Sequence, residues 1–192
     1  MNAARRVRAI LVEPAAEWMR IEKEPGAAAH LLIAYVALLA LIPAVFGFIG
    51  ACVVGAAVPG AGVVRAPLFS GFFGAIFGYV MTCATVLVLA LVIDLLAPTF
   101  AARRDFESAF KLAAYAYTPV WLAGIFLLAP GLRFLGLTGF YGGYILWRGL
   151  PRLMKTPEDK SLVYAAVIVA CALAFFVVAG AVQRAVFGPT PL

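Results

Sequence analysis

Five stretches of this chain are nearly free of charge and long enough, or almost long enough, to cross a bilayer as helices. They run over about residues 30–54, 71–97, 112–129, 132–148 and 162–183. A crossing needs about 20 apolar residues at about 1.5 Å of rise each. The first run contains Pro43, a kink that bilayer helices accept. The second stops at Pro98 and the third at Pro130-Gly131. The third and fourth runs are short, since roughly 18 residues reach only about 27 Å. Joined by Pro130-Gly131 alone, they form a tight hairpin that either spans fully or turns back before the far face. The fourth run is rich in glycine: Gly136, Gly139, Gly142 and Gly143. Residues 55–70, GAAVPGAGVVRAPLFS, read as a long apolar loop lying along the interface. The chain shows no internal repeat, so an inverted-repeat transporter is not supported.

The segment before the first run has a different rhythm. Val7, Ile10, Leu11, Pro14, Trp18 and Ile21 share one helical face, while Arg5, Arg8, Glu17, Arg20 and Glu24 lie elsewhere on the wheel. Pro14 suits a first turn, which predicts two short helices with a break near Glu13. Such a segment either lies in the membrane surface, with Arg5, Arg8 and Trp18 as contacts, or packs under the helix bundle.

Composition supports the membrane reading. The chain has 192 residues, 65% of them hydrophobic and only 12% charged. A soluble domain carries about twice that charge and cannot bury so much apolar surface. A soluble enzyme, a disordered chain and a disulfide-stapled module are therefore excluded. The net charge of +6 would suggest nucleic acid in a soluble protein. Here the charges sit between apolar runs and report topology. Twelve Lys and Arg residues fall before the first run, in 98–111 and after the fourth run. Three fall on the opposite side: Arg65, Arg133 and Arg184. The positive-inside rule then places the N-terminus in the cytoplasm and the C-terminus outside. The opening MNAARRVR is not expected to begin a cleavable signal, because Glu13, Glu17, Glu22 and Glu24 interrupt it before any long apolar run. Cys52, Cys83 and Cys171 lie within apolar stretches without CxxC spacing and read as small buried hydrophobes.

Candidate chemistry is sparse. Asp94 sits about one turn inside the end of the second run, where an ionisable group is costly. It is either a proton or cation site or an interfacial carboxylate that reaches water, Arg103 or Arg104. Tyr115, Tyr117 and Thr118, with Pro119, form either a polar lining or ties between helices. Tyr141, Tyr144 and Trp147 read as packing and an aromatic belt. His30, the one histidine, reads as a boundary residue. Small residues spaced four apart allow close helix approach, as at Gly74 and Gly78 or Gly139 and Gly143. GLRFLGLT at 131–138 lacks the lysine and the strand of a phosphate loop. No HExxH, GxSxG, paired-His spacing or nucleic-acid module occurs. Neither metal nor cofactor is expected.

Residues 141–165, YGGYILWRGLPRLMKTPEDKSLVYA, resemble the Yip (Ypt/Rab-interacting protein) family of five-span membrane proteins, most closely its bacterial branch. The resemblance is carried by Gly149-Leu150-Pro151, Leu153-Met154-Lys155, Pro157 and Asp159-Lys160. Leu96-Ala97-Pro98-Thr99-Phe100, the stretch AAYAYTPVWLAGIF at 113–126, and Pro14, Glu17-Trp18 and Glu24-Pro25 add to it. Arg103-Arg104 and Trp147-Arg148 depart from the family's usual residues. Eukaryotic members are linked to vesicle traffic and bind prenylated Rab GTPases. Arginine-rich composition suits a bacterium, where the resemblance implies no Rab partner.

The expected fold is all-α: a cytoplasmic amphipathic segment at 1–29 and five transmembrane helices within 30–192. The leading function is non-enzymatic, organising or shaping the membrane or scaffolding other membrane proteins. The alternative is a small transporter or channel using Asp94. The expected partners are the lipid bilayer and further copies of this chain or other membrane proteins.

Overall fold

The computed structural model describes residues 3–24, 28–58 and 62–187. Pro25 of the family arrangement and the tail from 188 lie outside the described residues. The helices are α1 (Ala3–Val12), α2 (Pro14–Ile21), α3 (Ala28–Val54), α4 (Leu68–Phe100), α5 (Phe106–Leu128), α6 (Tyr141–Leu153) and α7 (Glu158–Phe187). Four of them, α3, α4, α5 and α7, are long and apolar enough to cross a membrane.

Local chemistry sets the ends and breaks. Pro14 opens α2, and the chain turns at Glu13. Asp105 caps α5, accepting the amides of Glu107 at 3.2 Å and Ser108 at 3.4 Å, so the helix starts at 106 rather than 112. Burial alone would raise the Asp105 carboxyl, but these bonds outweigh it and hold it below its ordinary range. Pro119 supplies no amide hydrogen, and α5 breaks at Tyr117. A 3₁₀ turn, Gly124–Leu128, ends it.

The fourth apolar run corrects the expectation of one helix over 132–148. Pro130–Phe140 is a 3₁₀ helix, and the α-helix runs from Tyr141 to Leu153. Gly131, Gly136 and Gly139 weaken α-helix there. The tighter coil rises about 2.0 Å per residue, so a short segment reaches further. The hairpin tip packs Leu127 against Gly47 and Gly50, one turn short of the end of α3 at Val54, and Gly124 lies against Pro43. The chain then returns to its starting end, where the Arg103 amide donates to the Met154 carbonyl at 2.7 Å.

The 55–70 segment is also more ordered than a loop. β1 (Ala56–Val58) and β2 (Gly62–Val64) pair antiparallel, entered through Gly55 at φ 78°, a conformation glycine adopts without strain.

Many of the large fully buried side chains gather at the N-terminal end of the bundle, among them Trp18, Phe110, Ile145, Leu150, Met154 and Tyr164, while Trp121 is buried further along α5. Elsewhere α4 and α7 turn large apolar groups outward, among them Phe69, Phe72, Leu91, Phe176 and Val178. Apolar surface of that extent needs a non-aqueous neighbour, here lipid.

Candidate functional site

The polar groups that matter lie beneath α1 and α2. Ile10, Pro14, Trp18 and Ile21 are all buried, so the apolar face of the N-terminal pair meets protein. This corrects the placement of Trp18 at the membrane surface. Its ring is fully enclosed, and its Nε1–H donates to the Ile145 carbonyl at 3.0 Å. The approach depends on Gly149, where a Cβ would strike the Trp18 ring and Leu112. Arg5 and Arg8 remain exposed.

Glu17 is also on the buried side, not on the outer wheel. It follows Pro14 by three residues and precedes Ile21 by four, which places it on the apolar face. Its carboxylate is 1% exposed and bonds Arg6, itself 5% exposed. Arg6 also donates to Glu24, with one bond at 2.6 Å, and its guanidinium stands 5.4 Å over the Tyr115 ring. Burial alone would lower the Arg6 pKa, but Glu24, Tyr115 and Glu17 together raise it, so the guanidinium stays charged. Arg20 adds an outer bond to Glu17 at 3.2 Å. Lys111 of α5 donates to the Glu24 carbonyl at 2.7 Å.

The seam continues inward. The Tyr115 ring meets the edge of Trp18 with centroids 6.1 Å apart and that of Tyr35 at 4.9 Å. The Tyr35 hydroxyl pairs with Thr118 at 2.8 Å. Trp121 donates to Thr82 at 3.2 Å, and its ring meets that of Tyr117 with centroids 5.2 Å apart. These contacts tie α1, α2, α3 and α4 to α5.

Asp94 is separate from this seam. Its carboxylate, 15% exposed, takes Arg104 at 3.1 Å. Arg104 is one of the partners that the interfacial reading of Asp94 names. The contact also gives a role to Arg104, one of the departures from the family's residues. Trp147, another departure, donates to Ser161 at 3.1 Å.

The family-motif residues knot the same end together. Leu150 is buried, and Pro151 lies inside α6. Lys155 turns the chain at φ 54°, left-handed backbone that a non-glycine residue enters at a cost, and pairs with Glu22 just after α2. The hydrogen bond from Lys155 holds the Glu22 carboxyl below its ordinary range. The Pro157 carbonyl accepts the amides of Lys160 and Ser161, each at 3.1 Å. Asp159 stands exposed in the first turn of α7, where the helix dipole favours an acid.

The packing glycines divide. Gly143 lies against Val169 and Gly139 against Val120, while a Cβ on Gly78 would meet nothing within 4 Å among the described residues. Gly74 is buried. The three cysteines are free thiols. Among the described residues, no group of three or more His, Cys, Asp or Glu side chains is placed to hold a metal ion.

The residues that sequence reasoning missed are Arg6, Tyr35 and Thr82, with Glu17 placed on the wrong face. The available signal was a charge spaced in register with Ile10, Pro14 and Ile21. Nothing local pointed to Tyr35, whose partner Thr118 is far along the chain.

A model of the family described as the Yip1 domain matches residues 8–179. The chain is similar to the inner membrane protein YohC in two strains of Escherichia coli. Each is 28% identical over 153 residues, covering 78% of this chain and 78% of the relative. No solved structure matches.

Proposed function

We propose a non-enzymatic, membrane-organising role for this chain, which belongs to the Yip1 domain family. Its place is the bacterial cytoplasmic membrane, a reading supported by the apolar outer faces of α4 and α7 and by the inner-membrane relatives. The knotted end faces the cytoplasm and the chain crosses five times, leaving the C-terminus outside. The lysine and arginine bias and the return of the 130–153 segment to the Arg103 level support that path. Single cysteines at Ala102 and Pro157 are expected to react with an impermeant maleimide only after the membrane is opened. A cysteine added after Leu192 should react in sealed cells. Protection of that last position would overturn the five-crossing path.

The observation that carries the role is the uneven build of the bundle. At the end that holds Arg6 and Glu17, α1 and α2 are added to the long helices and packed into them. At the other end, among the described residues, α3, α4, α7 and the hairpin tip are joined by the short β1–β2 pair and by no further helix. A body wider in one leaflet relieves bending stress in a curved bilayer, and the exposed Arg5 and Arg8 add attraction to anionic headgroups. Self-association or association with other membrane proteins fits the outward apolar faces.

The second reading, a carrier using Asp94, is favoured by that residue's position within the end of α4. Its pairing with Arg104 weighs against it, because a carrier carboxylate must bind and release its cation. Reconstitution in vesicles of mixed diameter separates the two. The density of protein per unit area should rise in the smallest vesicles. Proton flux under an imposed gradient should equal that of empty vesicles and be unaffected by Asp94→Asn. Even density overturns shaping, while flux that disappears with Asp94→Asn establishes the carrier.

A further inference from the structure

An apolar cavity of about 220 Å³ lies between the 130–140 segment, α6, α5 and α7, with Leu89 and Ile93 of α4 among its lining residues. Its walls include Gly136, Gly139, Gly143, Leu146, Val169 and Ala172. Phe140, Leu173 and Phe176 stand at its rim, and each is exposed on the outer face that lipid covers. The cavity therefore opens sideways into the bilayer rather than along the bundle toward water.

We infer that this cavity is a binding site for one hydrocarbon chain of a bilayer phospholipid. The lining carries no charged side chain, and its one side-chain hydroxyl is that of Tyr117. A headgroup, an ion or a water cluster would find at most that one hydroxyl there, and water needs two to four partners. An apolar void of this kind stays dry, as does an engineered cavity of about 150 Å³ that accepts benzene. Left empty, its walls would forfeit dispersion contacts on one side. The molecule that waits at the rim in greatest abundance is the acyl chain.

The glycines explain why the space persists. Gly139 and Gly143 have room for no more than their neighbours allow, since a Cβ would lie 3.4 Å from Val120 and 3.3 Å from Val169. They let the hairpin close against α5 and α7. Gly136 is different: a Cβ there meets nothing within 4 Å. A leucine at that position, on the wall of the cavity, would meet no clash at its Cβ and add apolar volume there. The inference rests on the membrane-embedded fold and not on the shaping role, so uniform density in vesicles of mixed size leaves it standing.

The test uses the full chain in nanodiscs of phosphatidylethanolamine bearing a diazirine on one acyl chain. After illumination, labelled peptides are quantified by mass spectrometry. Peptides holding Leu146 and Val169 should be labelled several-fold more than those holding Phe72 and Leu91 on the open face of α4. Gly136→Leu should remove most of that excess, and Gly78→Leu, which also meets no clash at its Cβ, should leave it unchanged. Ala172→Leu serves as a second filling variant, and circular dichroism checks that each remains helical. Labelling in simple proportion to exposure in the wild-type chain overturns the proposal. So does cavity labelling that survives both filling variants in folded protein. Loss of labelling on addition of a free isoprenoid quinone, but not of unlabelled phospholipid, would reassign the occupant and equally overturn it.

Discussion

Replacing Arg6 with alanine is expected to destabilise the protein by about 3–5 kcal/mol, the usual cost of leaving a buried charge without its partner. The variant strands the Glu17 carboxylate, 1% exposed, with Arg20 as its remaining cation. It also removes the bonds that hold Glu24 and the guanidinium that covers Tyr115. Arg6→Lys should recover little, because an ammonium cannot span two carboxylates and stack on a ring as a planar guanidinium does. Arg6→Met combined with Glu17→Leu should recover most of the loss, since no charge is then left buried. Thermal melting in mild detergent reads the first effect, and cleavage within α1 by a protease added from outside the micelle reads the undocking. A melting point within a degree or two of wild type for Arg6→Ala would mean that the pair is solvated and that α1 is not held by it.

The all-helical build, with its long apolar helices, was legible because it depends on local composition. Runs of sufficient length that are free or nearly free of charge mark α3, α4 and α7, and Pro14 marks the break between α1 and α2. Arg104 was among the partners that the sequence offered Asp94, alongside Arg103 and water, because it lies only ten residues further along the chain. The hairpin was not legible. Pro130–Phe140 is apolar and glycine-rich without a clear period, so nothing in it distinguished α from 3₁₀ coil. The buried ion pair was hidden for a different reason. Whether a glutamate on an apolar face snorkels to water or pairs inside depends on what comes to meet it. For Glu17 that is Arg6 from the preceding helix, roofed by Tyr115 from α5. The same holds for Trp18: its spacing predicted an apolar face, but lipid and protein satisfy that face equally well. Only the glycine at 149, which makes room for the ring, decides between them.

That last relation can be measured directly. Trp18→Ala removes a fully buried aromatic side chain and its bond to the Ile145 carbonyl, and is expected to cost about 3–5 kcal/mol. Gly149→Leu should be costly by the opposite route, since its side chain would enter the space held by the Trp18 ring and by Leu112. If the two residues meet as described, the effects cannot add. Alanine at 18 vacates part of the volume that a leucine at 149 requires, so the double variant should be less destabilised than the sum of the two by about 1–3 kcal/mol. A membrane-anchored Trp18 gives a different result. Its loss would weaken attachment to lipid, the glycine substitution would act on α6 alone, and the two costs would sum within about 0.5 kcal/mol. Melting of the four proteins in nanodiscs closes the cycle. Additivity there would return α1 and α2 to the membrane surface, and with them the view that the wide end of the bundle is made by lipid contact instead of by packing.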